Sequence, residues 1–263
     1  MGQACTRGRK TAEVISIKAD PDSQRRLLNL QAVDSALAQL QHRRRTLPEH
    51  AEITRLRAEQ QSLASDLVAA DTAVSDLELE QTKAESDLEP VRERLARNQR
   101  RIADGSVPDA KALASMVAEV DHLKKRIADL EDAELEVMEQ LESAVAVRER
   151  LRARAVELGD VLAQTSARRD EQLATIDAEI GQRRATRSEI APEIDPALLG
   201  LYDKVAASHG GVGAAELRTR RCTGCQLEVN AADLGTFAAA ADDEVLRCEE
   251  CSRILVRTAQ SGL

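Results

Sequence analysis

The sequence of 263 residues contains very few aromatic side chains: one Tyr, one Phe and no Trp. A compact domain of this length normally buries more aromatic area, so the composition argues against an ordinary globular enzyme. The chain also has no apolar run long enough for a membrane span and no apolar signal segment near its start. We therefore expect a cytoplasmic protein with a narrow hydrophobic core.

The chain also lacks an excess of basic residues, because 37 Lys and Arg stand against 46 Asp and Glu, for a formal net charge of −9. This balance disfavours a general polyanion binder, so any contact with nucleic acid must come from a local basic patch. Residues 1–19 differ from the rest because they are basic. They are interpreted either as a disordered basic extension or as a start site placed too early.

What the sequence has in abundance is heptad periodicity on both sides of a single turn, Asp104-Gly105-Ser106-Val107-Pro108-Asp109. Before the turn the apolar positions include Ile53, Leu56, Leu63, Leu67, Val74, Leu88 and Leu95. After it they include Leu113, Val120, Ile127, Leu141, Leu162 and Ile176. Sustained heptads around a Gly/Pro turn predict two long helices in an antiparallel coiled-coil hairpin, within a helical region spanning residues 20–190.

Two Asp-Pro pairs mark the starts of shorter helices, since Asp is a good N-cap and Pro is tolerated at the first helical position. Asp20-Pro21 predicts a first helix, which we expect to pack on the far end of the last long helix, near residues 150–185. Asp195-Pro196 opens a short helix, 196–208. Short strands then follow, at 216–220, 227–229, 245–247 and 254–257, within a small domain at 196–263.

Four cysteines form two Cys-x-x-Cys motifs, Cys222/Cys225 and Cys248/Cys251, separated by 22 residues. This spacing is typical of a structural zinc ribbon, in which four thiolates complete a tetrahedral site and leave no open position. The segment is too short to bury a sufficient core by itself, so the Zn²⁺ would hold it together. Iron, a disulfide pair and a redox Cys-x-x-Cys are the weaker alternatives.

Several arginines flank these motifs and are the candidate contacts for a phosphate backbone. They are Arg218, Arg220, Arg221, Arg247, Arg253 and Arg257. From residue 196 onward, however, seven Lys and Arg stand against nine Asp and Glu. The domain is therefore dipolar, and nucleic-acid binding would depend on these arginines alone.

The order of these features resembles one bacterial family. A long helical hairpin, a Leu198-x-x-Leu201-Tyr202 helix, Gly210-Gly211 and the two cysteine motifs are similar to the four-cysteine zinc-ribbon coiled-coil proteins. Members are described as nucleic-acid-binding proteins and include a flagellar regulator. The resemblance covers residues from about 20 to 258 and implies zinc on the four cysteines and an elongated cytoplasmic protein that binds RNA, DNA or a regulatory protein. Gln226 and Ser252 stand where many zinc knuckles have Gly.

The sequence therefore predicts a mainly α protein with a long antiparallel coiled-coil hairpin and a small C-terminal β-rich zinc ribbon. No Gly-rich phosphate loop, nucleophile elbow or open metal site is recognisable, so we expect no enzyme and no small-molecule substrate. The favoured function is an adaptor or regulator that docks protein partners through the hairpin and the ribbon. The alternative is direct binding of RNA or DNA through the arginines around the knuckles.

Overall fold

The computed structural model describes residues 17–263, which form two compact units. The hairpin unit is Pro48–Arg169. The ribbon unit combines the described residues up to Leu47 with Asp170–Leu263. None of the helices in the described part of the chain has the length and hydropathy of a membrane span.

Residues 17–263 form five helices and four strands, with a short 3₁₀ turn at Ala191–Glu193. The helices are α1 Pro21–Arg45, α2 Pro48–Ala103, α3 Ala110–Ile190, α4 Pro196–Ser208 and α5 Ala231–Ala239. The strands are β1 Ala214–Arg218, β2 Arg221–Cys222, β3 Leu246–Arg247 and β4 Ile254–Val256. This mainly α architecture with a small C-terminal strand-containing region confirms the predicted fold class.

The hairpin unit consists of α2 and the part of α3 up to Arg169, running in opposite directions. Arg154 forms an ion pair with Glu59 at 2.7 Å, and Arg92 forms one with Glu131 at 2.6 Å. Glu59 precedes Arg92 along α2, but the partner of Glu59 follows the partner of Arg92 along α3. The two helices are therefore antiparallel. Leu56, Leu63 and Leu158 are buried between them.

The turn between α2 and α3 lies where the sequence predicts it. Gly105 adopts a φ of +63°, and the N–H of Ser106 donates to the carbonyl of Arg101 at 3.1 Å. This is a Schellman C-cap, which favours Gly because a Cβ is strained at positive φ. Asp109 then begins α3, since its carboxylate accepts the N–H of Ala112 at 2.8 Å.

In the ribbon unit both Asp-Pro pairs begin helices as predicted. Asp20 accepts the N–H groups of Asp22 and Ser23, which lowers the pKa of Asp20, chiefly through its hydrogen bonds with Ser23. Asp195 caps α4 in the same way. α1 packs against residues 173–190 of α3. Their buried cluster contains Val33 and Leu37 of α1, Ile176 and Ile180 of α3, and Leu47, which follows α1.

The sheet has the order β2-β1-β4-β3, with β1 and β4 parallel and the other two pairings antiparallel. Both faces are buried because alternate residues of β1 and β4 enter two different cores. Ala214, Ile254 and Val256 pack with α1 and α4, whereas Ala215, Leu217 and Leu255 pack with Phe237 and two of the cysteines.

The strands are shorter than predicted, and the first one is shifted. Thr219 and Arg220 have φ values of +48° and +63°, so they form the two-residue turn between β1 and β2 and do not extend the strand. Residues 227–229 contribute only an isolated bridge, between Glu228 and Arg221.

Residues 17–19, the end of the predicted basic extension, belong to the fold of the ribbon unit. The N–H of Val245 donates to the carbonyl of Ile17 at 3.2 Å, and Ala19 donates to the carbonyl of Asp243 at 2.8 Å. Ala19 is also buried in the core. Residues 1–16 of that extension lie outside the described residues.

Three polar side chains fasten the helices of the ribbon unit. The hydroxyl of buried Tyr202 donates to Asp34 at 2.8 Å, and Arg187 donates to the other oxygen of Asp34 at 2.8 Å. Burial, followed by the hydrogen bond to Asp34, raises the pKa of Tyr202. These contacts join α1, α3 and α4.

Candidate metal centre and groove of the zinc ribbon

The two cysteine motifs fold into matching knuckles. In the first, the N–H of Gln226 donates to the carbonyl of Cys222 at 2.7 Å; in the second, Ser252 donates to Cys248 at 2.7 Å. Gln226 and Ser252 have φ values of +62° and +54°. Both motifs therefore close with a residue in the left-handed conformation, where glycine is the least strained choice.

The knuckles bring the four sulfur atoms within 4.8 Å of one another. Cys222 and Cys251 lie 3.9 Å apart at Sγ, as do Cys225 and Cys248. Four thiolates about 2.3 Å from a shared zinc ion are separated by about 3.8 Å in a regular tetrahedron. All four cysteines are free of disulfides. The donor set and its spacing thus fit one tetrahedral zinc ion.

The protein environment shifts the pKa values of the cysteine thiols in both directions. Burial raises the pKa of the Cys222 thiol and raises that of Cys248 to about 12. For Cys251 burial acts in the same direction, but hydrogen bonds with the backbone and side chain of Arg253 and with Cys248 and Cys225 together outweigh it and lower the pKa to about 7. A zinc ion must therefore displace protons from buried thiols when it binds.

The first knuckle is braced by Arg253. Its guanidinium donates to the carbonyls of Val212, Gly224 and His209 at 3.0 to 3.4 Å. A Cβ on Gly224 would lie 2.8 Å from the Cδ of Arg253, so only glycine lets this side chain pass. Arg253 therefore has a structural role that the sequence did not reveal.

The other predicted arginines divide into engaged and exposed groups. Arg257 donates to the carbonyls of Phe237, Ala240, Ala241 and Glu244, and Arg247 donates twice to the carbonyl of Ser252. Arg218 pairs with Glu216 at 2.7 Å, and Arg220 donates to the carbonyl of Gly262 at 3.2 Å. Arg221 is exposed beside them. The structure thus brings Arg218, Arg220 and Arg221 together on one hairpin, while Arg253 and Arg257 bind backbone carbonyls.

Two glutamines of α1 connect this helix to the ribbon through contacts that no sequence pattern predicts. Gln31 donates to the carbonyl of Gly211 at 3.0 Å and accepts the N–H of Gly213 at 2.7 Å. Gln24 donates to the carbonyls of Ala19 and Asp242. Their positions within a helical stripe carry no signal of these contacts, because the backbone groups they bind belong to other segments.

A groove of about 810 Å³ opens beside α5. Its apolar floor and walls come from α4, α5, β3 and the segment that precedes α1. They include Leu201, Phe237, Val245, Leu246 and Ile17, together with small residues of α5. Glu244, Arg247 and Glu249 line it as charged residues. The described residues that line it include no Cys, Ser, His or Lys.

Residues 30–210 match the CT398-like coiled coil hairpin domain, and residues 221–255 match the C4-type zinc ribbon domain. The chain belongs to the CT398-like coiled-coil hairpin family. The predicted family resemblance is thereby confirmed. With the four sulfurs already brought together, the C4-type match shows that this CT398-like protein has one structural zinc site.

Relatives of this CT398-like protein occur in mycobacteria. An uncharacterized protein of Mycobacterium tuberculosis is 37% identical over 242 residues, which cover 92% of this chain and 98% of that protein. A Mycobacterium leprae protein is 28% identical and covers 84% of this chain and 95% of its own length.

Two solved structures share the fold. A Mycobacterium smegmatis structure has a TM-score of 0.78 at 35% identity, and the match covers 92% of this chain and 100% of that one. CT398 from Chlamydia trachomatis has a TM-score of 0.65 at 16% identity, with 90% and 98% of the two chains covered. The second likeness extends to the fold alone.

Proposed function

We propose that this protein is a non-enzymatic cytoplasmic adaptor. Its zinc ribbon docks an extended segment of a partner protein in the groove beside α5, and its coiled-coil hairpin serves as the docking arm. The groove is the observation that carries this proposal. Cys222, Cys225, Cys248 and Cys251 act as the four zinc ligands.

The zinc has a structural role in this proposal. Four thiolates complete a tetrahedral zinc site, so substrate and water have no coordination position. Two of the ligands, Cys222 and Cys248, are buried in the same core as Phe237 and Leu246, which line the groove. The metal therefore supports the wall of the groove and takes no part in chemistry.

The shape of the site favours an extended occupant. β3 is an edge strand, and an edge strand pairs readily with an added strand. The chain itself shows such pairing, since Ile17 accepts the N–H of Val245 and Lys18 forms a bridge with Glu244. A partner strand beside β3 would place alternate side chains in the apolar groove.

The charges at the rim favour a partner with basic flanks. Among the described residues that line the groove, Glu244 and Glu249 are acidic and Arg247 is the one cation. Asp243, next to Glu244, binds the ammonium of Lys18 at 3.0 Å. We therefore expect a segment with apolar side chains at its centre and Lys or Arg beside them.

Direct nucleic-acid binding by the knuckle arginines is the second candidate, supported by the grouping of Arg218, Arg220 and Arg221 on one exposed turn. It has less support than the adaptor role. Arg218 is paired with Glu216, and Arg253, Arg257 and Arg247 bind carbonyls of the ribbon itself. A phosphate backbone would have to displace these contacts.

The adaptor proposal is tested by panning displayed random peptides on the zinc-loaded full chain and measuring the affinity of the enriched peptides by calorimetry. We expect an apolar centre with basic flanks. Ala239→Trp places a large side chain in the groove and should weaken binding by at least about tenfold, a loss of about 1.4 kcal/mol.

The matched control is Ala238→Trp, because Ala238 is an exposed residue of the same helix but does not line the groove. It should leave peptide affinity within a factor of about two. No enriched peptide, or equal loss in both variants, would contradict the proposal. Zinc content and circular dichroism of both variants establish that the fold is intact.

A further inference from the structure

One side of the hairpin carries two ion pairs between its helices. Asp71 of α2 pairs with Arg152 of α3 at 3.0 Å, and Arg92 of α2 pairs with Glu131 of α3 at 2.6 Å. From 71 to 92 and from 131 to 152 the separation is 21 residues, which is three heptads. The four residues therefore share one heptad position, and both pairs lie on the same side of the coiled coil, about 31 Å apart.

Between these ion pairs the same side of the hairpin lacks matching charges. One heptad inward from each ion pair, the register places Glu78 opposite Val145 and Glu85 opposite Met138. Both glutamates are exposed, and among the described residues neither is in an ion pair, although Glu85 accepts the side-chain amide of Gln81 at 3.2 Å. At these two positions a carboxylate therefore faces an apolar side chain.

The apolar side chains here belong to α3 and are open to solvent. Met138 is 38% exposed, and Leu135, three residues earlier on the same face, is 56% exposed. Val145 is half-buried, as are the neighbouring seam residues Val137 and Leu141. A further helix placed over them would continue the existing interface between α2 and α3. We refer to Glu78, Glu85, Leu135, Met138 and Val145 as the open flank.

The charge around the open flank indicates the chemistry of that helix. Residues 76–89 of α2 contain six Asp and Glu against one Lys, and residues 132–142 of α3 contain five against none. Among the described residues, none of these eleven carboxylates is in an ion pair. Eleven carboxylates against one ammonium leave a local net charge of −10, compared with −9 for the whole chain. Such a field attracts a cationic partner and repels an anionic one.

We propose that the open flank binds a basic amphipathic helix of a partner protein, which forms a three-helix coiled coil with α2 and α3. This inference rests on the docking-arm part of the proposed function and is independent of the groove beside α5. Apolar residues of the partner helix cover Leu135, Met138 and Val145. Lys or Arg on one side of that helix pair with Glu78 and Glu85. Because these glutamates are seven residues apart, about 10 Å, the cations recur at a seven-residue interval in the partner.

The test is panning of a displayed library of helical peptides on the zinc-loaded full chain, followed by fluorescence anisotropy with the enriched peptides. We expect apolar residues at three- and four-residue spacing and Lys or Arg at a seven-residue interval. Leu135→Ala/Met138→Ala should weaken binding at least about tenfold, because it removes the apolar contacts. Glu78→Gln/Glu85→Gln should weaken binding about fivefold at low salt and less at high salt, since salt screens ion pairs at a surface.

Two variants of α2 serve as matched controls. Leu79→Ala removes an apolar side chain that is 70% exposed, at the heptad position opposite the seam. Glu80→Gln/Asp87→Asn removes two carboxylates at heptad spacing from Arg94, whose ion pair with Glu119 lies on the other side of the hairpin. Each control should leave the affinity for the helical peptides within a factor of about two. Circular dichroism and zinc content establish that every variant is folded.

The proposal is overturned if no helical peptide is enriched, if the enriched peptides lack a basic side, or if the controls lose as much affinity as the open-flank variants. It is also overturned if sedimentation shows a dimer of this chain that Leu135→Ala/Met138→Ala dissociates, because the open flank would then hold a second copy. Peptide docking in the groove beside α5 should be unaffected in every variant. A chain that binds helical peptides but no extended peptide would contradict the groove and leave the open flank supported.

Discussion

Each knuckle ends with a non-glycine residue at positive φ, and the strain of this conformation allows a quantitative prediction. Gln226 and Ser252 have φ values of +62° and +54°. A residue with a Cβ costs about 1–2 kcal/mol in this conformation, whereas Gly adopts it freely but loses about 0.5–1 kcal/mol more chain entropy on folding. Gln226→Gly and Ser252→Gly should therefore each stabilise the ribbon by about 0.5–1 kcal/mol.

The assay is zinc affinity measured by competition with a chelator, because folding of the ribbon and binding of zinc are coupled. Each Gly variant should bind zinc about two- to fivefold more tightly than wild type at the same pH. Gln226→Val places a β-branched side chain at the same φ and should weaken zinc binding.

Gln226→Asn is the intermediate control, since Asn tolerates the left-handed conformation better than most residues. The reasoning is refuted if Gln226→Gly binds zinc no more tightly than wild type while Gln226→Val binds equally well. The double variant Gln226→Gly/Ser252→Gly tests additivity, which we expect to be incomplete because the two knuckles share one metal.

Two further predictions concern the metal and the polar network of the ribbon unit. Removing zinc should abolish amide protection in β2, α5 and β3, because Cys222 and Cys248 belong to their core. Protection should persist in α1 and α4, whose residues Leu27 and Leu198 pack in a separate core, and a uniform loss in hydrogen exchange would argue against this. Tyr202→Phe should cost about 1 kcal/mol, the typical value of one hydrogen bond. Because the folded pKa of Tyr202 is raised, its contribution is complete below about pH 10, the unfolded value, and is lost as pH rises further, so wild type should lose stability above that pH more steeply than Tyr202→Phe in urea titrations.

Features that depend on local chemistry could be predicted from the chain alone. Asp20 and Asp195 cap their helices, Gly105 closes α2, and heptad spacing predicts the hairpin, because each signal involves residues within one or two helical turns. The zinc site could also be predicted from the chain alone, since two Cys-x-x-Cys motifs at this spacing have few other uses.

The tertiary structure decided which side chains are available for binding. An arginine beside a knuckle has the same sequence signature whether it faces solvent, as Arg221 does, or binds carbonyls, as Arg253 and Arg257 do. The strand limits likewise depended on sheet partners, because short strands have little propensity of their own. The groove beside α5 is formed by segments far apart along the chain, which include Ile17, Leu201 and Phe237. Local patterns specify helices, caps and metal ligands, whereas surfaces arise only when packing brings distant segments together.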